Sequence, residues 1–126
     1  MIRFAAAACI FMFLLVPAAI AADLSGTYGV NGTNPDGTRY TGTAKIVMKP
    51  GRCRVNWVHG NNTSYGTCKL SGKTFSVDFV LNGSRGTVVY ELRSNGNLAG
   101  VWWMRGMKSR KGRETLFLKQ ATSPSV

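Results

Sequence analysis

Asn, Gly and Pro recur along residues 34–97 in six short clusters, and no 3.6-residue apolar stripe between them marks a helix. The clusters are Asn34-Pro35-Asp36-Gly37, Lys49-Pro50-Gly51-Arg52, His59-Gly60-Asn61-Asn62, Ser71-Gly72-Lys73, Asn82-Gly83-Ser84 and Ser94-Asn95-Gly96-Asn97. Each supplies Gly or Asn for a positive φ, or Pro for a fixed one. A longer charged gap follows at residues 105–112. Between the breaks lie eight runs rich in Val, Thr, Tyr, Phe and Trp: 24–30, 39–48, 53–58, 64–70, 74–81, 86–93, 98–104 and 113–119. Runs of this length and composition are strands, and their short connections pair each with the next. Eight meandering antiparallel strands with nothing to cover an edge close into a small barrel. The predicted class is all-β.

Register follows from one hairpin. A two-residue turn at Gly60-Asn61 pairs His59 with Asn62, Trp57 with Ser64 and Val55 with Gly66, and sets Cys53 opposite Cys68. Cross-strand partners share a face, so a disulfide there is sterically open. With one His and no further Cys nearby, a disulfide is expected rather than a metal site. Alternation then points Tyr28, Val30, Tyr40, Ala44, Ile46, Val55, Trp57, Phe75, Val77, Phe79, Val88, Tyr90, Leu98, Trp102, Leu116 and Leu118 inward. It points Arg54, Asn56, Thr67, Lys69, Ser76, Asp78, Glu91, Arg93 and Trp103 outward. Gly42, Gly66 and Gly100 are expected to receive aromatic rings.

The segments Leu24-Ser25-Gly26-Thr27-Tyr28 and Tyr40-Thr41-Gly42-Thr43-Ala44 resemble the opening strands of avidin-like and lipocalin-like barrels, with Tyr28 at the usual Trp position. The longer pattern runs through Asn31–Gly37, Val55-Asn56-Trp57, Leu98–Trp102 and Gly112–Leu116. It is similar to a group of small exported bacterial proteins of unassigned activity, some labelled fibronectin-binding. The resemblance implies a fold rather than a function, and no biotin contacts carry over.

Residues 1–21 read as a cleaved secretory signal peptide: Arg3, an apolar run over 4–16, Pro17, and Ala19 and Ala21 in an A-x-A site. That leaves 22–126 as a single barrel domain in the periplasm or outside the cell. Without Arg3, fifteen basic residues face five acids, a net charge of +10 that favours anionic partners.

No catalytic residue, cofactor or metal site is expected. The acids are scattered, and no nucleophile or phosphate-loop motif is present. His59, at a turn, is expected to be solvated. Arg105, Lys108, Arg110, Lys111 and Arg113 place five positive charges in nine residues, a cationic finger suited to polysaccharide, lipid head groups or nucleic acid, or else simply a solvated loop. Trp103 and Tyr65 are the outward aromatics that could stand beside it. Tyr28, Tyr40, Trp57, Tyr90 and Trp102 either fill the barrel or line a pocket for a small apolar ligand, with filling favoured. Glu114 falls near the barrel mouth, where it either touches a ligand or is held by an Arg or by backbone amides. The function expected is therefore non-enzymatic binding of an anionic or extracellular macromolecule, with a small-ligand carrier as the alternative.

Overall fold

The alternation of apolar and polar residues resolves into eight strands in the computed structural model, which describes residues 22–122. The expected signal peptide lies outside the described residues. The strands are β1 (Gly26–Thr33), β2 (Arg39–Lys49), β3 (Arg52–His59), β4 (Asn62–Ser71), β5 (Thr74–Leu81), β6 (Ser84–Leu92), β7 (Leu98–Met104) and β8 (Gly112–Ala121). All pair antiparallel in sequence order, and β8 returns to β1, so the sheet is a closed barrel. Closure satisfies both edges of the meander, as the sequence requires.

The predicted β3–β4 register holds. His59 faces Asn62, Trp57 faces Ser64 and Val55 faces Gly66. Cys53 and Cys68 are bonded, with Cα atoms 5.0 Å apart. The β5–β6 turn is built by Asn82 and Gly83, both at positive φ (49° and 76°), the pair that a twisted two-residue hairpin favours.

Three expectations need correction. β1 starts two residues later and runs three further, because Asn31–Thr33 pair on both sides, with Arg39–Thr41 and with Arg113–Thr115. Turn-like residues become strand once closure gives them two partners. Leu118, expected inside, is 49% exposed although it pairs with the inward Tyr28, since β7 pairs with β8 only as far as Leu116 and leaves Leu118 a neighbouring strand on one side alone. Aromatic rings cover only one of the three glycines expected. Tyr90 does lie on Gly100, but Tyr40, Phe79 and Trp102 lie on their cross-strand partners Gly32, Gly86 and Gly112. A Cβ at Gly112 would stand 2.2 Å from Trp102, so the ring position depends on the glycine. Gly42 and Gly66 instead approach backbone carbonyls of the neighbouring strand, at 2.3 and 2.5 Å from a Cβ placed there.

The two barrel ends differ. One end carries the β2–β3, β4–β5 and β6–β7 turns and is packed shut by Phe75, Ile46, Leu98, Leu116 and Leu24. Leu24 is buried just ahead of β1, where its carbonyl accepts from Tyr28 Oη at 2.7 Å. Ser25 Oγ accepts from Met48 N at 2.9 Å, tying the same segment to β2. The other end carries the remaining four hairpins and is open.

Candidate functional site

Inward alternation on β2, β3, β6 and β8 brings four polar groups together inside the open end. Glu114, on β8, is 6% exposed. Its Oε1 accepts from Tyr40 Oη at 2.9 Å, and its Oε2 accepts from Trp57 Nε1 at 3.1 Å and from Tyr90 Oη. Burial raises its pKa above the ordinary carboxylate range, against the opposing pull of those three donors and of the nearby His59. Burial also raises the phenols of Tyr40 and Tyr90, and the charge of Glu114 adds to it. The Arg or backbone amides expected to hold Glu114 are replaced by three neutral side-chain donors. A carboxylate accepts about four hydrogen bonds, so about one site is left.

Above this carboxylate lies a cavity of about 210 Å³, lined by Asn34, Tyr40, Trp57, His59, Asn62, Ser64, Phe79, Leu81, Val88, Trp102 and Glu114. Its walls are mainly apolar and aromatic, with polar groups at fixed points, as small-molecule sites are built. Two ring nitrogens among its lining residues, His59 Nε2 and Trp102 Nε1, are buried without a hydrogen-bond partner among the described residues. Trp102 Nε1 comes close enough to the Tyr40 hydroxyl to oppose the rise in its pKa, but falls short of hydrogen-bond geometry. Buried polar atoms are seldom left so.

Of the six pocket residues named from sequence, Tyr40, Trp57, Trp102 and Glu114 line the cavity. Tyr90 lies outside the lining, fully buried, and supports Glu114 from its own position on β6. Tyr28 does not reach the cavity, because its hydroxyl turns to Leu24. His59, expected in solvent, is half-buried, its ring 5.0 Å from that of Tyr40. Alternation from Trp57 would have placed it inward. Ser64 and Phe79 were legible on the same rule, but whether inward residues enclose space was not.

The basic residues do not form one finger. Lys108 and Lys111 both approach the Trp103 ring, each 5.8 Å from its centroid. Backbone bonds from Met107 N to Met104 O and from Arg110 N to Met107 O, each 2.9 Å, fold the loop back on itself. Trp103 is therefore half-buried rather than exposed, and Trp102, expected in the core, is half-buried at the mouth. Arg110 turns toward Asp36, joining a shallow recess beside Trp102. Arg105 and Lys108 join a groove on the barrel's outside. Arg113 stands exposed at the start of β8.

No family model matches this chain, and no curated protein matches it. Solved structures do. A de novo designed fluorescence-activating β-barrel is 14% identical with a TM-score of 0.60, over 75% of this chain and 93% of that one. The redesigned barrel b11L5F_LGL is 20% identical with a TM-score of 0.63, over 79% and 92%. The redesigned barrel mFAP0, solved bound to DFHBI, is 17% identical with a TM-score of 0.62, over 74% and 96%. At such identities the likeness is one of fold: the chain is a small, closed, eight-stranded antiparallel β-barrel.

Proposed function

We propose that the protein binds a small, flat, largely apolar molecule in the open end of its barrel, and acts as an exported binding protein rather than an enzyme. The observation that carries this is the cavity over Glu114, where His59 Nε2 and Trp102 Nε1 stand buried and unpartnered. A ligand that offers an acceptor to the indole N–H, with an apolar body against Trp57, Phe79 and Val88, would satisfy groups that are otherwise costly. That mFAP0 and EF1p2_mFAP2b were both solved bound to DFHBI supports a fold able to host such a ligand. The disulfide supports residence in an oxidising compartment. The acids argue for binding over catalysis, since Glu114 is the one carboxylate on the cavity wall and three donors already engage it.

The test uses a neutral apolar dye, N-phenyl-1-naphthylamine, so that surface charge contributes nothing. Its emission should rise on addition of the protein and stay flat with Leu81→Trp, which fills the cavity without touching Glu114. Equal enhancement by both proteins, or none by either, overturns the reading. Native mass spectrometry of protein from its own host would then identify the occupant. The excess of basic charge favours a second reading, an anionic macromolecule held on the outer surface, and it has a site of its own.

A further inference from the structure

Outward residues of five consecutive strands meet in a groove on the barrel wall. Two cross-strand rows build it. Tyr65 pairs with Val80, Val80 with Arg85, and Arg105 N donates to Arg85 O at 2.9 Å. In the next row Arg54 faces Thr67, Thr67 faces Asp78, Asp78 faces Thr87 and Thr87 faces Trp103. Short side chains thus floor the centre, while long cationic and aromatic ones stand at the sides. The groove measures about 830 Å³ against about 210 Å³ at the mouth.

Its electrostatics are one-sided. Arg54, Arg85, Arg105 and Lys108 border it, and the only ion pair among the described residues is Arg93–Glu91, at 3.8 Å elsewhere on the surface. Among the described residues these four cations have no carboxylate within pairing distance. Asp78, the one acid present, sits on the floor with Thr87 Oγ1 donating to it at 3.2 Å. Tyr65 is 62% exposed, and among the described residues its ring stacks on no other aromatic and carries no cation. A soluble domain keeps a large ring so bare most readily where a partner covers it. Trp103, by contrast, already holds Lys108 and Lys111, and so fixes where the loop's charges stand.

We infer that this outer groove binds an acidic polysaccharide, whose carboxylate or sulfate groups pair with Arg54, Arg85, Arg105 and Lys108 while a sugar ring lies on Tyr65. Guanidinium groups suit such oxyanions because they engage two oxygens at once. An extended polymer also fits a trough on a curved wall better than a flat membrane does. The disulfide favours a partner from outside the cytoplasm over a nucleic acid. The inference rests on the second reading above, and it is independent of the mouth.

The test is a titration of a heparin-derived oligosaccharide at several salt concentrations. A groove variant (Arg54→Ser, Arg85→Ser, Arg105→Ser and Lys108→Ser) is compared with a control of equal net charge (Lys45→Ser, Lys49→Ser, Lys69→Ser and Lys73→Ser). Circular dichroism checks both for the native spectrum. The groove variant should bind about tenfold more weakly or worse, the control much less so, with a flatter salt dependence in the groove variant alone. Tyr65→Ala should weaken binding several-fold and Tyr65→Trp should restore it, which a purely electrostatic surface would not do. Equal losses in the two charge variants overturn the groove but leave the broader anionic reading standing. No oligosaccharide binding by the native protein overturns both. If an oligothymidine of equal charge binds more tightly and with the same Tyr65 dependence, the partner is a single-stranded nucleic acid and the polysaccharide assignment fails.

Discussion

The two ends of one barrel are built from the same alternating strands and do opposite things with them. At the closed end, Phe75, Ile46, Leu98 and Leu116 leave no solvent-accessible surface, and Leu24 and Ser25 are strapped across to Tyr28 and Met48. At the mouth, the same inward positions hold Tyr40, Trp57, His59 and Trp102, rings with polar tips arranged around space. The difference comes down to what each ring rests on. Tyr40, Phe79 and Trp102 lie flat on Gly32, Gly86 and Gly112, which draws them back toward the wall. The closed end fills its centre with Phe75 and branched aliphatic residues instead. Packing supplies stability at one end, and unfinished packing supplies a site at the other.

Substitutions of matched chemistry at the two ends would sharpen or break that contrast. Leu98→Ala should cost about 2–5 kcal/mol in urea unfolding, as a large deletion in a sealed core does, whereas Leu81→Ala at the mouth should cost well under half as much. Equal costs would mean that the mouth is packed core after all. Next in size, replacing both Cys53 and Cys68 by Ser should remove about 3 kcal/mol, by freeing a 15-residue separation in the unfolded chain. Alkylation of the native protein without reductant should label neither cysteine.

A smaller effect is expected from the carboxylate. Glu114 has its pKa raised by burial, so the folded state holds its proton more tightly than the unfolded state does. Its contribution is then fully present below the ordinary glutamate pKa and is lost as pH rises through the elevated folded value. Asp23 and Asp36, whose carboxyls are held low by hydrogen bonds from Ser25 and Thr38, work in the opposite sense. Glu114→Gln isolates the term: the stability of the native protein relative to this variant should fall with rising pH across that window. A flat difference would show that the three donors offset burial completely. The smallest change is expected at Trp103→Ala, about 1 kcal/mol or less, since it releases two lysines on the surface. Hydrogen exchange should nevertheless quicken at Met107 and Arg110, whose amides close the loop's turns.

Much of this architecture was legible from residues alone. The Gly60-Asn61 turn and the two cysteines independently imply one register, and period-two alternation extends it around the sheet. Alternation says which residues face inward but not whether they meet. Trp57 and Glu114 are 57 positions apart, and the hydrogen bond between them depends on barrel diameter and strand stagger. The outer groove was hidden for the same reason, because its two rows draw on strands from Arg54 to Arg105. His59 was missed because a turn position was read as solvent, when two strands of a narrow barrel bury even their last inward residue. Leu118 failed because β7 begins only at Leu98, opposite Leu116, and alternation does not mark where a neighbouring strand stops.

The seam between β1 and β8 also constrains how the molecule comes into being. Gly26 meets Ala121 and Thr33 meets Arg113, so the first strand made waits for the last. Contacts of such long sequence separation form slowly. Until residue 121 is available, the growing chain is an open ribbon with two bare edges, and Glu114 has no ring of donors around it. The cavity over Glu114 and the finished fold therefore arrive together. A chain cut anywhere ahead of Glu114 has no weaker version of the site to offer, only an unclosed sheet prone to pair with its neighbours.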